Sequence, residues 1–272
     1  MRNAPVRAAE IGATAIQLFT KQPNRWAERI LAADDIAAYR EGVEKEGIRF
    51  ACAHDSYLIN LASPDPALAE RSAASFRGEL RRANELGLDA VVTHPGNATD
   101  GDADRGVAQN AALVAEALSA EGGDVRVLFE TTAGTGTALG ASFEELARIL
   151  EAIPEDLQYR VGVCLDTCHL FAAGYDLVED YDGVMEALER TVGIDRVGAI
   201  HLNDSKHPCG ARRDRHEHIG QGTLGDGPFA RIMNDPRLRD VPKVLETPKE
   251  KDPVRLDTMN LDRLRSLLRH DS

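Results

Sequence analysis

PALAERSAASFRGELRRANELGLDAVVTH, residues 66–94, is the stretch whose reading decides the fold. Its first part, Pro66–Leu86, is rich in Ala, Leu, Glu and Arg, with apolar residues at three- and four-residue spacing, the period of an amphipathic helix. Its last part, Ala90–Thr93, is a short apolar run with the composition of a strand, and it stops on His94. A helix followed by a strand that ends in a metal-donor residue type is one unit, and the unit recurs on both sides.

Working outward, strands are predicted at Thr14–Phe19, Ile48–Ala53, Val125–Phe129, Val161–Leu165, Val197–Ile200 and Lys243–Leu245, making seven in all. Between them lie helical stretches at Asp34–Glu46, Arg105–Ala120, Ser142–Ala152 and Tyr181–Val192. Alternating strands and helices specify a parallel sheet covered by helices, and 272 residues is the usual size of one β/α barrel. The expected fold is therefore α/β, a TIM-like (β/α)8 barrel forming a single domain over residues 1–272. An eighth strand is expected ahead of residue 1, because the chain opens on a helical stretch, Pro5–Ile11, so the first strand is missing in this reading.

Hydrophobic residues make up 43% of the chain and charged residues 28%, ordinary values for a globular protein with a sizeable core. The opening has no apolar segment of signal-peptide length, and no run of about 18 apolar residues follows. The expectation is a cytoplasmic protein with no membrane association. Of four cysteines, Cys52 and Cys164 fall in apolar strands, where a thiol packs as a small hydrophobe; no disulfide is expected. The formal charge of −13 opposes generic binding to a polyanion. Bound divalent metals and a basic cluster, Arg212, Arg213 and Arg215 within the long irregular stretch Asn203–Pro228, are the two features that answer this objection.

Six successive strand ends carry a metal-donor type: His54, His94, Glu130, Asp166, His201 and Glu246, spaced 35 to 45 residues apart. The carboxyl ends of barrel strands face a common mouth, so these side chains converge although they are remote in sequence. Imidazole nitrogens with carboxylate oxygens suit zinc, with manganese or iron as substitutes. Glu130, central in the series, is the best bridge between two ions. A second group, His169 with Asp214 and His216, is suited to a further ion, so nine donors suggest three metals. The glycines of His94-Pro-Gly and of TTAGTG (131–136) either cradle a phosphate or simply turn the chain. Cys164 and Cys168, which flank Asp166, are weaker ligand candidates. His207, His218 and His270 fall outside the register, and Trp26 reads as a packing residue.

At these residues the chain resembles the endonuclease IV family of apurinic/apyrimidinic endonucleases. The motifs that carry the resemblance are HDSYLINL (54–61), FETTAG (129–134), CLDTCH (164–169), GYD (174–176), HLNDSK (201–206), DRHEHIG (214–220) and LETP (245–248). The resemblance implies a trinuclear zinc centre: His54, His94 and Glu130 on one ion, Glu130, Asp166, His201 and Glu246 on the second, and His169, Asp214 and His216 on the third. It also implies that Tyr57 and Leu58 enter the duplex at a lesion, and that a DNA-contacting arginine falls near Asn24 or Arg25. Arg215 completes the expected DNA contacts. The family's first strand, with its Gly-x-His-x-Ser type of segment, has no counterpart in this sequence.

The activity so implied is metal-assisted hydrolysis of double-stranded DNA 5′ to abasic sites, leaving a 3′-hydroxyl and a 5′-deoxyribose phosphate, with trimming of blocked 3′ ends. Glu130 and Glu246 are the catalytic carboxylates of this reading, and a monomer is expected. Two alternatives stay open: a one-metal sugar isomerase or epimerase on the same barrel, and a lesion-binding protein without catalysis.

Overall fold

The computed structural model describes residues 1–249 and 251–269; His270 lies outside them. In chain order the elements begin α1 (Ala4–Glu10), β1 (Ala15–Leu18), α2 (Ala33–Lys45), β2 (Phe50–His54), α3 (Pro66–Leu86), β3 (Ala90–Thr93), α4 (Ala103–Glu121), β4 (Arg126–Glu130) and α5 (Phe143–Ala152). They continue with β5 (Val161–Asp166), α6 (Thr167–Ala173), α7 (Tyr181–Thr191), β6 (Val197–His201), β7 (Asp204–Ser205), β8 (His216–Glu217), α8 (Asp226–Asn234), β9 (Lys243–Val244) and α9 (Pro253–Ser266). All seven predicted barrel strands form. The sequence pattern does not single out α6, α8, α9 or the short strands β7 and β8.

Helix boundaries follow local chemistry. Asp65 caps α3 by accepting the Ala67 N–H at 2.9 Å, and Pro66, which has no N–H to leave unpaired, opens the first turn. Gly87, at φ 70°, ends the same helix in the left-handed conformation a side chain resists. At α5, Ser142 accepts the Glu145 N–H at 3.2 Å, while the Glu145 carboxylate reaches back to the Gly140 and Ala141 amides at 2.9 and 3.1 Å.

The seven strands pair in parallel in the order β1-β2-β3-β4-β5-β6-β9, giving a nearly closed TIM barrel. Among the described residues β1 and β9 do not pair with each other, so the barrel keeps one seam. Alternation along each strand separates two apolar regions. Cys52, Ala90, Val92, Leu128, Cys164 and Ala199 form the small core inside the barrel, whereas Val91, Val127, Phe129 and Val163 pack outward in the large core that includes the helical residues Phe76, Leu80, Val114 and Leu146. Side chains two residues apart on a strand share a face. The step beyond Cys52, Val92, Leu128, Cys164 and Ala199 is therefore His54, His94, Glu130, Asp166 and His201, all directed into the mouth.

Candidate metal centre

Three buried groups, His54, Glu130 and His201, and the half-buried His94 make the floor of the mouth. Glu130 at the end of β4 is fully enclosed; its Oε2 lies 3.1 Å from His54 Nε2 and 3.3 Å from His94 Nε2, and its Oε1 lies 3.0 Å from His201 Nδ1. One carboxylate thus faces three imidazoles on three other strands. The donor atoms of His54, His94 and Glu130 lie within 4.8 Å of one another, and so do those of Glu130, Asp166, His201 and Glu246. Glu130 is the member common to both groups.

The third group is built differently. His169 sits in the first turn of α6, whose N-cap is Asp166: the Asp166 Oδ1 accepts the His169 N–H at 2.8 Å. His216 arrives on the antiparallel ribbon of β7 and β8, in which Ser205 pairs with His216, and Asp214 stands just ahead of it. His169 Nε2 and His216 Nε2 lie 3.3 and 3.2 Å from the two Asp214 oxygens, and these three donors also gather within 4.8 Å. The long stretch 203–228, irregular by its sequence, contains this ribbon; two-residue strands carry no periodicity to betray them.

Ring orientation is set by backbone carbonyls. His54 Nδ1 donates to the Asp55 carbonyl at 2.9 Å, His169 Nδ1 to the Thr131 carbonyl at 2.8 Å, and His216 Nδ1 to the Glu246 carbonyl at 3.1 Å. A carbonyl can only accept, so each Nδ1 bears a proton, and in the neutral imidazole Nε2 offers its lone pair to the cluster. Nε2 of both His169 and His216 is buried and makes no hydrogen bond. Two buried nitrogens left this way, facing carboxylates, are the expected appearance of donors arranged for a cation.

The electrostatics agree. Burial pulls His54 down, but the hydrogen bond and charge of Glu130 outweigh it and lift the imidazole to about 9. His169 and His201 also rise well above the ordinary histidine value against burial, through Asp166 and Asp214 for the first and through Cys164, Glu246 and Glu130 for the second. Burial pushes Asp214 up, and the His169 and His216 imidazoles bring it down to about 2. Without a metal, protons supply the positive charge that the buried carboxylates demand. The donor set fits two or more hard or borderline divalent cations.

Comparison with known proteins follows this geometry. The family model for a xylose isomerase-like TIM barrel matches residues 5–267. A protein of Chloroflexus aggregans named probable endonuclease 4 is 46% identical, across 97% of this chain and 92% of its own length. The crystal structure of endonuclease IV from Thermus thermophilus superposes with a TM-score of 0.86 at 39% identity, covering 98% of this chain and 93% of that one. The chain belongs to the endonuclease IV family. A D-psicose 3-epimerase from Clostridium cellulolyticum, 18% identical with a TM-score of 0.66 and covering 99% of this chain and 94% of its own, shares the fold alone with it.

In this endonuclease IV family member two of the residues expected at the DNA, Tyr57 and Arg215, stand beside donor residues of the mouth. Tyr57 is 57% exposed, its ring 5.4 Å from Phe19 and 5.6 Å from His54, and Leu58 beside it is half-buried. Ser56 donates to the Pro23 carbonyl at 2.6 Å, tying this loop to the one that carries Asn24 and the exposed Arg25. Trp26 lies under the Arg71 guanidinium at 4.4 Å, a packing arrangement. Arg215 is exposed and donates to the Asp214 carbonyl at 2.6 Å.

The remaining assignments divide. Gly96 is a turning residue: at φ 101°, a Cβ there would meet the Asn60 side chain at 2.5 Å and the Ala62 amide nitrogen at 3.0 Å. His218 is buried and accepts from Asn260 Nδ2 at 3.1 Å, apart from the donor groups. Cys168 comes within donor reach of Asp166 and His216, and burial, then Asp166, raises its thiol to about 12. All four cysteines are free. Three residues of the mouth were given no role by the sequence reading: Gln17, Asp55, whose carboxylate accepts from Thr93 Oγ1 at 2.6 Å, and Asn203. No helix among the described residues is long and apolar enough to cross a membrane.

Proposed function

We propose that this chain is a zinc-dependent DNA-repair endonuclease that hydrolyses the phosphodiester 5′ to abasic sites in double-stranded DNA, leaving a 3′-hydroxyl and a 5′-deoxyribose phosphate, and trims blocked 3′ ends. The observation that carries the reading is the gathering of nine donors into three contiguous groups beneath an exposed aromatic residue. A sugar isomerase or epimerase working with one ion has no use for the third group, His169, Asp214 and His216.

In this reading His54, His94 and Glu130 hold one cation, Glu130, Asp166, His201 and Glu246 a second, and His169, Asp214 and His216 a third; manganese or iron can substitute. When bound, such cations neutralise phosphate charge and make water ionise near neutral pH, which also answers the net charge of −13. Glu130 fixes the spacing between the first two groups. Glu130 and Glu246 are the catalytic carboxylates of this reading, and Glu246 is the more open of the two. Tyr57 and Leu58 wedge into the duplex at the lesion, where a nucleotide without a base leaves the stack at little cost, while Arg25 and Arg215 contact backbone phosphates.

A duplex with one synthetic abasic site tests this, with metal content measured on the same preparation and a chelated control. Incision 5′ to the lesion with near three equivalents of metal is the expected result. Bound metal without incision would remove the nuclease reading.

A further inference from the structure

We propose that Gln17 of β1 is a positioning residue for the second donor group, fixing which nitrogen of His201 faces the cation and where the Glu246 carboxylate stands. The proposal rests on the reading that Glu130, Asp166, His201 and Glu246 hold a metal, and it concerns a side chain outside that set.

The contacts determine the amide's orientation. Gln17 Nε2 donates to Glu246 Oε1 at 2.5 Å, and a carboxylate facing an amide requires the nitrogen end. The amide oxygen is thereby turned to His201, whose Nε2 lies 2.8 Å away, and to the Cys52 thiol at 3.3 Å. An amide oxygen only accepts, so His201 Nε2 carries a proton. Nδ1 is the nitrogen left for a cation, and it already points at three carboxylates: Glu130 at 3.0 Å, Glu246 at 3.2 Å and Asp166 at 3.8 Å. The other three histidines with a defined ring orientation present Nε2 and anchor Nδ1 on carbonyls of the backbone. His201 alone is reversed, and its anchor is a side chain that substitution can remove.

Position adds a second reason. Among the described residues β1 and β9 do not pair across the seam, and Glu246 follows β9 by two residues. The Gln17–Glu246 hydrogen bond crosses that seam, holding the least buried carboxylate of the group against the strand opposite. Removing the amide releases the His201 ring and the Glu246 carboxylate together.

The test compares wild type with Gln17→Met, which has similar length without the polar ends, and Gln17→Asn, whose amide is one methylene too short to span both partners. Metal-depleted proteins are titrated with zinc by calorimetry, and cadmium-113-loaded protein labelled with nitrogen-15 histidine reports which imidazole nitrogen binds. In both variants one binding event is expected to weaken about 10- to 100-fold with the others unchanged. In wild type His201 should bind cadmium through Nδ1 with a slowly exchanging proton on Nε2. Wild-type affinity at every site in the variants, or coordination of His201 through Nε2, overturns the proposal. If wild type itself takes up no metal, the donor-group reading falls first and the proposal with it. Should Gln17→Met fail to fold, Gln17→Asn decides alone.

Discussion

Asn203 Nδ2 donates to Asp166 Oδ2 at 2.6 Å, and the other end of the same amide, Oδ1, accepts the Glu246 N–H at 2.9 Å. Asn203 is fully buried and its own backbone is locked to Thr167, which donates to the Asn203 carbonyl at 2.7 Å and accepts its N–H at 2.9 Å. One neutral side chain thus orients a donor from β5 and the segment that carries a donor from β9. Asn203→Ala should cost about 1–3 kcal/mol of stability by leaving buried partners unpaired and should weaken zinc binding about 10- to 100-fold. Denaturant melts of the metal-depleted protein and zinc titration measure the two separately.

Tyr57→Ala is expected to lower kcat/KM on an abasic duplex by about tenfold or more, because an aromatic–base stacking contact is worth about 1–3 kcal/mol. Metal content should be unchanged, and stability should move by no more than about 0.5 kcal/mol, as for other exposed positions. Incision kinetics with metal analysis on one preparation make the check; loss of metal would show that Tyr57 supports the His54 ring instead.

The pH dependence of the metal-free protein has a definite sign. His54 is raised to about 9, so its contribution to stability is complete below the ordinary histidine value near about 6.5 and is lost as pH climbs through 9. Burial raises Asp55 to about 7, so this carboxyl, too, binds its proton more tightly folded than unfolded, and stability declines from about pH 4 to 7 as the unfolded chain ionises first. Urea midpoints of the metal-free protein should therefore fall between about pH 5 and 9. With zinc bound to His54 Nε2 the histidine share of that slope should vanish, and zinc uptake near neutral pH should release protons into a weak buffer.

Glu130→Gln should be the most damaging single donor substitution. It removes the charge that faces His54, His94 and His201 at once, so two metal equivalents rather than one should be lost. Asp214→Asn, at a position whose side chain is 48% exposed, should lose one equivalent and leave the other two. Metal analysis after gel filtration distinguishes the outcomes; equal losses would mean that Glu130 is not shared.

The barrel and the convergence of six candidate donors were legible because two regularities coincide. A strand has a period of two, and His or acidic residues at the end of an apolar run stand out against it, as at VVTH (91–94) and CLD (164–166). The roles of Gln17 and Asn203 stayed hidden because amides are ordinary in loops and at strand ends, and nothing in a sequence tells a buried amide from a solvated one. The carbonyls of Asp55, Thr131 and Glu246 that set the histidine rings were beyond sequence reading altogether, since every residue has one. The ribbon of β7 and β8 is too short to pattern, so Asp214 and His216 could be grouped with His169 but their route back over the mouth could not be drawn.

The dispersal of the donors has a consequence for how the protein assembles and comes apart. Each group draws on segments far apart in the chain, from residue 54 to residue 246 across the set, so no isolated β/α unit gathers a full site. Closing such long loops costs entropy before any ion can repay it. If the groups hold ions as proposed, ion capture is expected to follow near-complete assembly of the chain, and global opening to follow ion loss. The loaded protein should accordingly resist unfolding as a matter of rate as well as of equilibrium, its lifetime in denaturant set by how slowly the ions depart.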